Sequence, residues 1–394
     1  MKKKSVRDVS VKGKRVLVRV DYNVPLKDGK ITDDTRIRAS LPTINYLLEG
    51  GAAVILLSHM GRPKGTVKEE LRLDPVAVRL SELLGKAVRK IGSTVGEEAE
   101  AAARDLGGGG VLLLENVRFA AEEEKNGDDF ATKLAALGDI FVNDAFGTAH
   151  RAHASTVGIT KHLPAVAGLL MEKEIEVLEK CLFEPKRPLT VIFGGAKVSD
   201  KIGVIKKLME LADNILIGGG MGNTFLAAKG YNMADSLVEK AKTDVAGELL
   251  KNAENSGKSF FLPQDLIVVE ELKEGALNKN VSADAVPAGW QAVDIGRETA
   301  KSYVDVIKSS GTVIWNGPVG VFEIPPFHRG SETLALAAVE SDAYILVGGG
   351  DTAASFESFG IAHKADFVST GGGATLEFME GKELPGIAAL QDRG

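Results

Sequence analysis

VIFGGAK (191–197), ILIGGGM (215–221), ILVGGGD (345–351) and FVSTGGGA (367–374) share one grammar, a short strand-like run that ends directly in glycines. Apolar runs without strict alternation read as strands buried on both faces, and such strands belong to parallel sheets covered by helices. Ligands of parallel sheets sit outside the carboxyl ends of the strands, where loops free of side chains let backbone amides and helix N-termini approach phosphate. One such loop alone reads as a tight strand-to-helix turn. Four in one half of a chain read as a phosphate-handling rim.

The same kind of run recurs outward from these loops. In the first half the strand candidates are Val16–Val20, Ala52–Leu57, Val111–Leu114 and Ile140–Val142. In the second they are Leu189–Phe193, Ile215–Ile217, Phe260–Leu262, Thr312–Trp315, Tyr344–Val347 and Phe367–Val368. Amphipathic stretches rich in Ala, Leu, Lys and Glu separate them, so the expected fold class is α/β, with two doubly wound, Rossmann-like parallel-sheet domains. The 394 residues also exceed what one core holds, and two domains of about 200 residues are the natural division. We expect domains at 1–170 and 184–378 with a connecting helix at 171–183. Leu169, Ile175, Leu178 and Leu182 have helical spacing before Pro185 and Pro188 break the pattern. An ordinary surface helix of either domain fits that pattern equally.

Hydrophobic residues at 44% and charged residues at 26% exclude a disordered chain. The net charge of -6 argues against a nucleic-acid partner. It conceals an asymmetry: residues 1–170 carry 26 Lys and Arg against 22 Asp and Glu, residues 171–394 carry 22 against 32. A single cysteine, Cys181, permits neither an intrachain disulfide nor a thiolate zinc site, which fits a reducing compartment. Neither a secretory leader nor a membrane span is expected, since nowhere do 18 apolar residues run together.

In the segment opened by Gly194 (GGAKVSDKIGVIKKLMELAD), Val198, Ile202, Ile205 and Met209 are spaced as the buried stripe of a helix. Lys197 and Lys201 would then lie one turn apart at its N-terminus, where the macrodipole disfavours cations unless an anion is present. Polyphosphate is the candidate, and two solvated lysines beside Ser199 and Asp200 as helix caps are the plain reading. Asp351 follows Gly348–Gly350, with Thr352 opening a helix. A carboxylate beside a phosphate loop suits Mg²⁺, although Asp351 taken alone reads as an N-cap. The first half supplies Arg36, Arg62, Arg118 and Arg151 in loops and at strand ends. Converging arginines make a pocket for a small dianion, whereas any one of them singly reads as a surface ion pair. Asp21 and Asn23, two residues apart, project to one side and could orient a hydroxyl. His59, His150 and His153 lack a metalloprotease spacing and suit phosphate contact or a structural part.

Jointly, RVDYNVP (19–25), SHMGRP (58–63), LLENVRF (113–119), NDAFGTAHRAHAST (143–156), GGAKVSDK (194–201), WNGPVGVFE (315–323), GGGDT (348–352) and STGGGAT (369–375) resemble the phosphoglycerate kinase family. The resemblance implies reversible, Mg²⁺-dependent transfer of the acyl phosphate of 1,3-bisphosphoglycerate to ADP, giving 3-phosphoglycerate and ATP in glycolysis. By that resemblance the first domain binds glycerate substrate: Asp21 and Asn23 on the hydroxyl, Arg36 near the carboxyl, and His59, Arg62, Arg118 and Arg151 around the distal phosphate. Nucleotide falls to the second domain, on Gly194, Lys197, Lys201, Asn316, Glu323 at the ribose, and Gly349, Gly350, Asp351 and Thr352, with Asp351 for Mg²⁺. Arg36, Lys197 and the amides of Gly372 and Gly373 are expected to stabilise the transferring phosphoryl group. A monomeric, cytoplasmic enzyme with hinge closure is expected, its tail from about residue 379 to 394 returning onto the first domain. Val319 stands where many relatives have Met. A non-catalytic phosphometabolite-binding protein on the same fold is the alternative. A dehydrogenase is disfavoured by the missing GxGxxG fingerprint, and no GxxxxGK[ST] loop is present.

Overall fold

The computed structural model describes residues 2–394. It divides into two compact units, one formed by the residues up to Glu176 together with Glu383–Gly394, the other by Val177–Lys382. The first division falls inside the helix Leu169–Phe183 and the second just before Leu384.

Each unit is built on a six-stranded parallel sheet. In the first, the order is Arg89–Lys90, Val111–Leu113, Ala53–Leu57, Arg15–Arg19, Ile140–Asn143 and Ala165–Ala167. Val16 pairs with Val54 on one side and Ile140 on the other, so the strand Arg15–Arg19 is central and everything after Arg15 is buried. That burial on both faces explains the unbroken apolar lettering. It also places a charge, Arg19, inside the core. In the second unit the order is Ser259–Phe261, Asn214–Ile217, Leu189–Phe193, Thr312–Asn316, Tyr344–Gly348 and Phe367–Val368. Its core is locked by Trp315 packed edge-on against Phe356 at 5.3 Å between ring centroids, and by Tyr303, whose buried hydroxyl donates to Ile217 O at 2.7 Å.

All ten strands expected from the apolar runs are present, with ends shifted by a residue or so. The short strands Arg89–Lys90 and Ala165–Ala167 complete the first sheet. A three-stranded antiparallel sheet, Asn278–Ser282, Asp265–Val269 and Gln291–Ile295 in that order, is an addition to the expected plan. It packs its own apolar cluster around Trp290, Val268 and Leu226.

The tail closes the first unit. Asn143 Nδ2 donates to Gly386 O at 3.0 Å, and Gly386 N donates to Ala149 O at 2.8 Å. Lys3 Nζ donates to Ala388 O at 2.9 Å and Leu390 O at 2.8 Å, while Leu384 and Leu390 are buried.

Two local expectations fail. The helix expected to open near Gly194 begins at Ile202 and runs to Leu211. Gly195 has φ 93° and the chain turns through Ser199 before Lys201, the N-cap, so Lys197 and Lys201 do not lie one helical turn apart. Ser199 does not cap that helix either; its N–H and hydroxyl both donate to Glu239. The second correction is smaller. Gly350, rather than Thr352, opens the helix Gly350–Ser358.

Candidate active site

In the first unit the carboxyl ends of the central strands carry a cationic cluster. Arg36 stands in the first turn of the helix Thr35–Glu49, a position the helix dipole disfavours. Asp21 compensates it: Arg36 Nη1 donates to Asp21 Oδ2 at 3.0 Å and to Asn23 O at 3.1 Å. Asn23 Oδ1 accepts from Gly61 N at 2.8 Å, and Arg118 Nη1 donates to Gly61 O at 2.8 Å, so the loop after Ala53–Leu57 is held from both sides. Arg118 is buried, meets Glu124 at 3.3 Å through Nε, and keeps Nη2 without a hydrogen-bond partner among the described residues. Arg151 Nε donates to His150 Nε2 at 3.2 Å.

These groups act on the two histidine rings they surround. Burial first, then the charges of Arg19, Arg118, Arg36 and Arg151, hold the His59 ring well below the usual imidazole pKa. His153 is pushed down to about 4 by burial and then by Arg118, Arg19 and Arg151. Cations that repel one another around two neutral rings form a site prepared for an anion. Arg62 is exposed on the adjoining loop and takes no part in this network.

The second unit presents the glycine loops along one sheet edge. The ends of the neighbouring strands Leu189–Phe193 and Thr312–Asn316 touch backbone to backbone: a Cβ on Gly194 would lie 2.0 Å from Pro318 O. Lys201 Nζ reaches into this crossing and donates to Gly194 O at 2.8 Å and Asn316 O at 2.9 Å. Burial lowers the Lys201 pKa to about 8, partly opposed by Asp351 and Asp200. Asn316 Nδ2 donates to Gly348 O at 3.0 Å, and Thr352 Oγ1 accepts from Gly317 N at 2.6 Å while donating to Gly348 O at 2.9 Å. Asn316 and Thr352 thus fasten the loop rather than face solvent. Gly349, at φ 92°, caps the helix Gly350–Ser358, whose first turn exposes the Asp351 carboxylate. Gly372, at φ 53°, caps the helix Gly373–Met379 in the same manner. Lys197 is exposed on its turn.

A cavity of about 290 Å³ opens beside these loops, bounded by Gly195, Gly219, Gly220 and Glu323, with Asp351 at its edge and Asp294 in its wall. Asp294 is fully buried and accepts from Gly330 N at 2.7 Å; burial pushes its carboxyl up to about 8.

A family model described as phosphoglycerate kinase matches residues 6–382. The chain belongs to the phosphoglycerate kinase family. Phosphoglycerate kinase from Coxiella burnetii is 42% identical with a TM-score of 0.89, and 98% of each chain is covered. Phosphoglycerate kinase from Pyrococcus horikoshii OT3 is 36% identical with a TM-score of 0.85, again with 98% of each chain covered.

For a phosphoglycerate kinase, two groups of functional interest escaped the sequence reading. Arg19, Glu123 and Ser155 form a buried polar cluster behind His59. An arginine inside the apolar run VLVRV (16–20) is the signal that marks it. Glu239 and Asp294 brace loops of the second unit, Glu239 through Ser199 and Asp294 through Gly330 N; no local pattern marks either, because these partners lie in distant segments.

Proposed function

We propose that this chain is a working phosphoglycerate kinase, transferring the acyl phosphate of 1,3-bisphosphoglycerate to ADP and the reverse, as a step of glycolysis. The observation that carries the reading is the presence in one chain of two anion-ready sites. One is the arginine cluster with Arg118 Nη2 unpartnered, the other the glycine-loop edge with a buried Lys201. In the first, Arg36, Arg118 and Arg151 with His59 and Arg62 hold the glycerate substrate, and Asp21 and Asn23 orient its hydroxyl. In the second, Gly194, Lys201, Glu323 and Gly349–Asp351 hold the nucleotide, on a loop that the Asn316 and Thr352 side chains fasten from behind.

In the forward reaction the bond from phosphorus to the acyl oxygen breaks as a bond to the terminal ADP oxygen forms, and 3-phosphoglycerate leaves as a carboxylate. The protein supplies alignment and positive charge around the three equatorial oxygens rather than a nucleophile. We assign that stabilisation to Arg36, Lys197 and the amides of Gly372 and Gly373. The turn carrying Lys197 is tied down through Ser199 N, which donates to Glu239 Oε2 at 2.9 Å.

Mg²⁺ fits the donor set. No group of three or more His, Cys, Asp or Glu side chains among the described residues makes a protein-only cage. An exposed carboxylate at the head of a phosphate loop is what an ion holding mostly phosphate oxygens and waters accepts. Asp351 would hold it with the nucleotide, where the ion neutralises phosphate charge. The reading includes a cytoplasmic setting, which the lone buried Cys181 suits, and a monomer, checked by sedimentation.

The assay is Mg²⁺-dependent ATP formation from 1,3-bisphosphoglycerate and ADP, with Arg36→Ala and Lys197→Ala alongside. Absence of turnover in the intact chain would sink the reading. Near-normal turnover in either variant would remove that residue's assigned part.

A further inference from the structure

We infer that Arg19 is a positioning residue that fixes His59 as the neutral Nε2–H tautomer, so that His59 meets its anionic ligand as a hydrogen-bond donor and not as a cation. The inference rests on the reading of His59 as a substrate contact. Arg19 is wholly buried; its Nε donates to Ser155 Oγ at 2.8 Å, its Nη1 to Val20 O, and its Nη2 lies 3.1 Å from His59 Nδ1. A guanidinium has donors only, so at 3.1 Å the His59 Nδ1 must accept and carries no proton. The competing partner for that nitrogen, Asp21 Oδ1, is 3.9 Å away, beyond hydrogen-bond reach. The ring proton therefore sits on Nε2, which has no partner among the described residues and is the donor left for a ligand.

The direction of the chain is set further back. Ser155 Oγ accepts from Arg19 and donates to Glu123 Oε1 at 2.6 Å, and Glu123 Oε2 accepts from Ser155 N at 3.0 Å. Glu123 is completely buried and is the charge partner that keeps Arg19 in the core. The charges that act most strongly on His59 besides Arg19 are also cationic, namely Arg118, Arg36 and Arg151, while Asp21 Oδ1 lies 3.9 Å from Nδ1. A second proton on the ring would face four arginines. The arrangement resembles the outer partner of a ligating histidine, which sets which ring nitrogen is presented.

Long-range nitrogen–proton NMR on the full chain labelled at histidine tests this, with His59 assigned through His59→Gln. The expected spectrum is the neutral Nε2–H pattern, unchanged between about pH 6 and 8. In Arg19→Met the Nδ1 acceptor loses its donor, so the ring nitrogen shifts should move toward a mixture of Nε2–H and Nδ1–H tautomers and the KM for 3-phosphoglycerate should rise, whereas a spectrum still purely Nε2–H would take the positioning role away from Arg19. Should Arg19→Met fail to fold, a KM comparison at His59 decides. His59→Ala should raise KM about tenfold, and His59→Gln, which keeps an N–H donor, should recover most of it. A cationic ring or an Nδ1–H tautomer in the intact chain overturns the inference, as does a glutamine no better than alanine. The tautomer is read without turnover, so failure of the kinase assay is distinguishable from failure here.

Discussion

Lys201 is the residue whose chemistry a binding experiment reports most directly. Its ammonium is nearly buried against two carbonyls, and burial lowers its pKa from 10.5 to about 8. The unfolded chain therefore binds more protons than the folded one between those values, so this group's contribution to stability rises as pH climbs from about 8 to 10.5 and is lost as pH falls through 8. An arriving polyphosphate reverses the shift by favouring the charged form. ADP binding at about pH 8.5 should then take up a proton, seen as a calorimetric heat that changes with the ionisation enthalpy of the buffer. Lys201→Met should abolish the buffer dependence; no buffer dependence in the intact chain would separate Lys201 from the nucleotide. Arg36 is proposed to act on the other substrate. Removing a donor aimed at developing charge costs roughly 100-fold or more in rate, so Arg36→Ala should lower kcat by about that factor in stopped-flow turnover. An unchanged kcat with a raised KM would make Arg36 a ground-state binder only.

At the scale of elements, the strand ends decide the architecture. Leu189–Phe193 and Thr312–Asn316 lie side by side, and their loops approach so closely that only glycine fits at position 194, 2.0 Å being the space a Cβ would have to Pro318 O. Gly194→Ala should destabilise the second unit by roughly 3 kcal/mol, measured as a lowered denaturant midpoint; a change near zero would mean that the two loops move apart freely. The parallel strands were legible because double-sided burial writes itself as continuous apolar lettering, as in Leu189–Phe193. Asn278–Ser282 was not, since four of its five residues are exposed and NKNVS has no apolar face to read. Arg89–Lys90 is too short to carry a period. The helix start at Ile202 was misplaced because Val198 is buried in a turn that happens to continue the helical spacing. The glycine and arginine motifs that supply the candidate site residues were legible as motifs, whereas Arg19 passed as part of a strand although a charge inside VLVRV is itself the signal. Glu239 and Asp294 act through tertiary contacts that no local pattern encodes.

At the scale of the molecule, the chain's ends are part of the first unit's core. Removal of residues after Lys382 deletes the bonds of Gly386 with Asn143 and Ala149, exposes the sites of Leu384 and Leu390, and frees the Lys3 ammonium. Two buried leucines and several hydrogen bonds are worth on the order of 5 kcal/mol. The truncated chain should melt earlier, and because Ala149 adjoins His150 and Arg151, its KM for 3-phosphoglycerate should rise even below the melting range. An unaltered melting curve would show that the tail is ornamental. The residues proposed for the two substrates fall in different compact units, Asp21 to Arg151 in one and Gly194 to Thr352 in the other. Direct transfer needs both substrates within reacting distance with water excluded, otherwise ATP hydrolysis competes. We therefore expect a conformational change when both substrates bind, with the helix Leu169–Phe183, which spans the division between the units, as its mechanical element. Small-angle scattering should give a smaller radius of gyration with 3-phosphoglycerate and a nonreactive Mg-nucleotide together than with either alone. Equal compactness in all states would eliminate the hinge and leave the positioning to side chains.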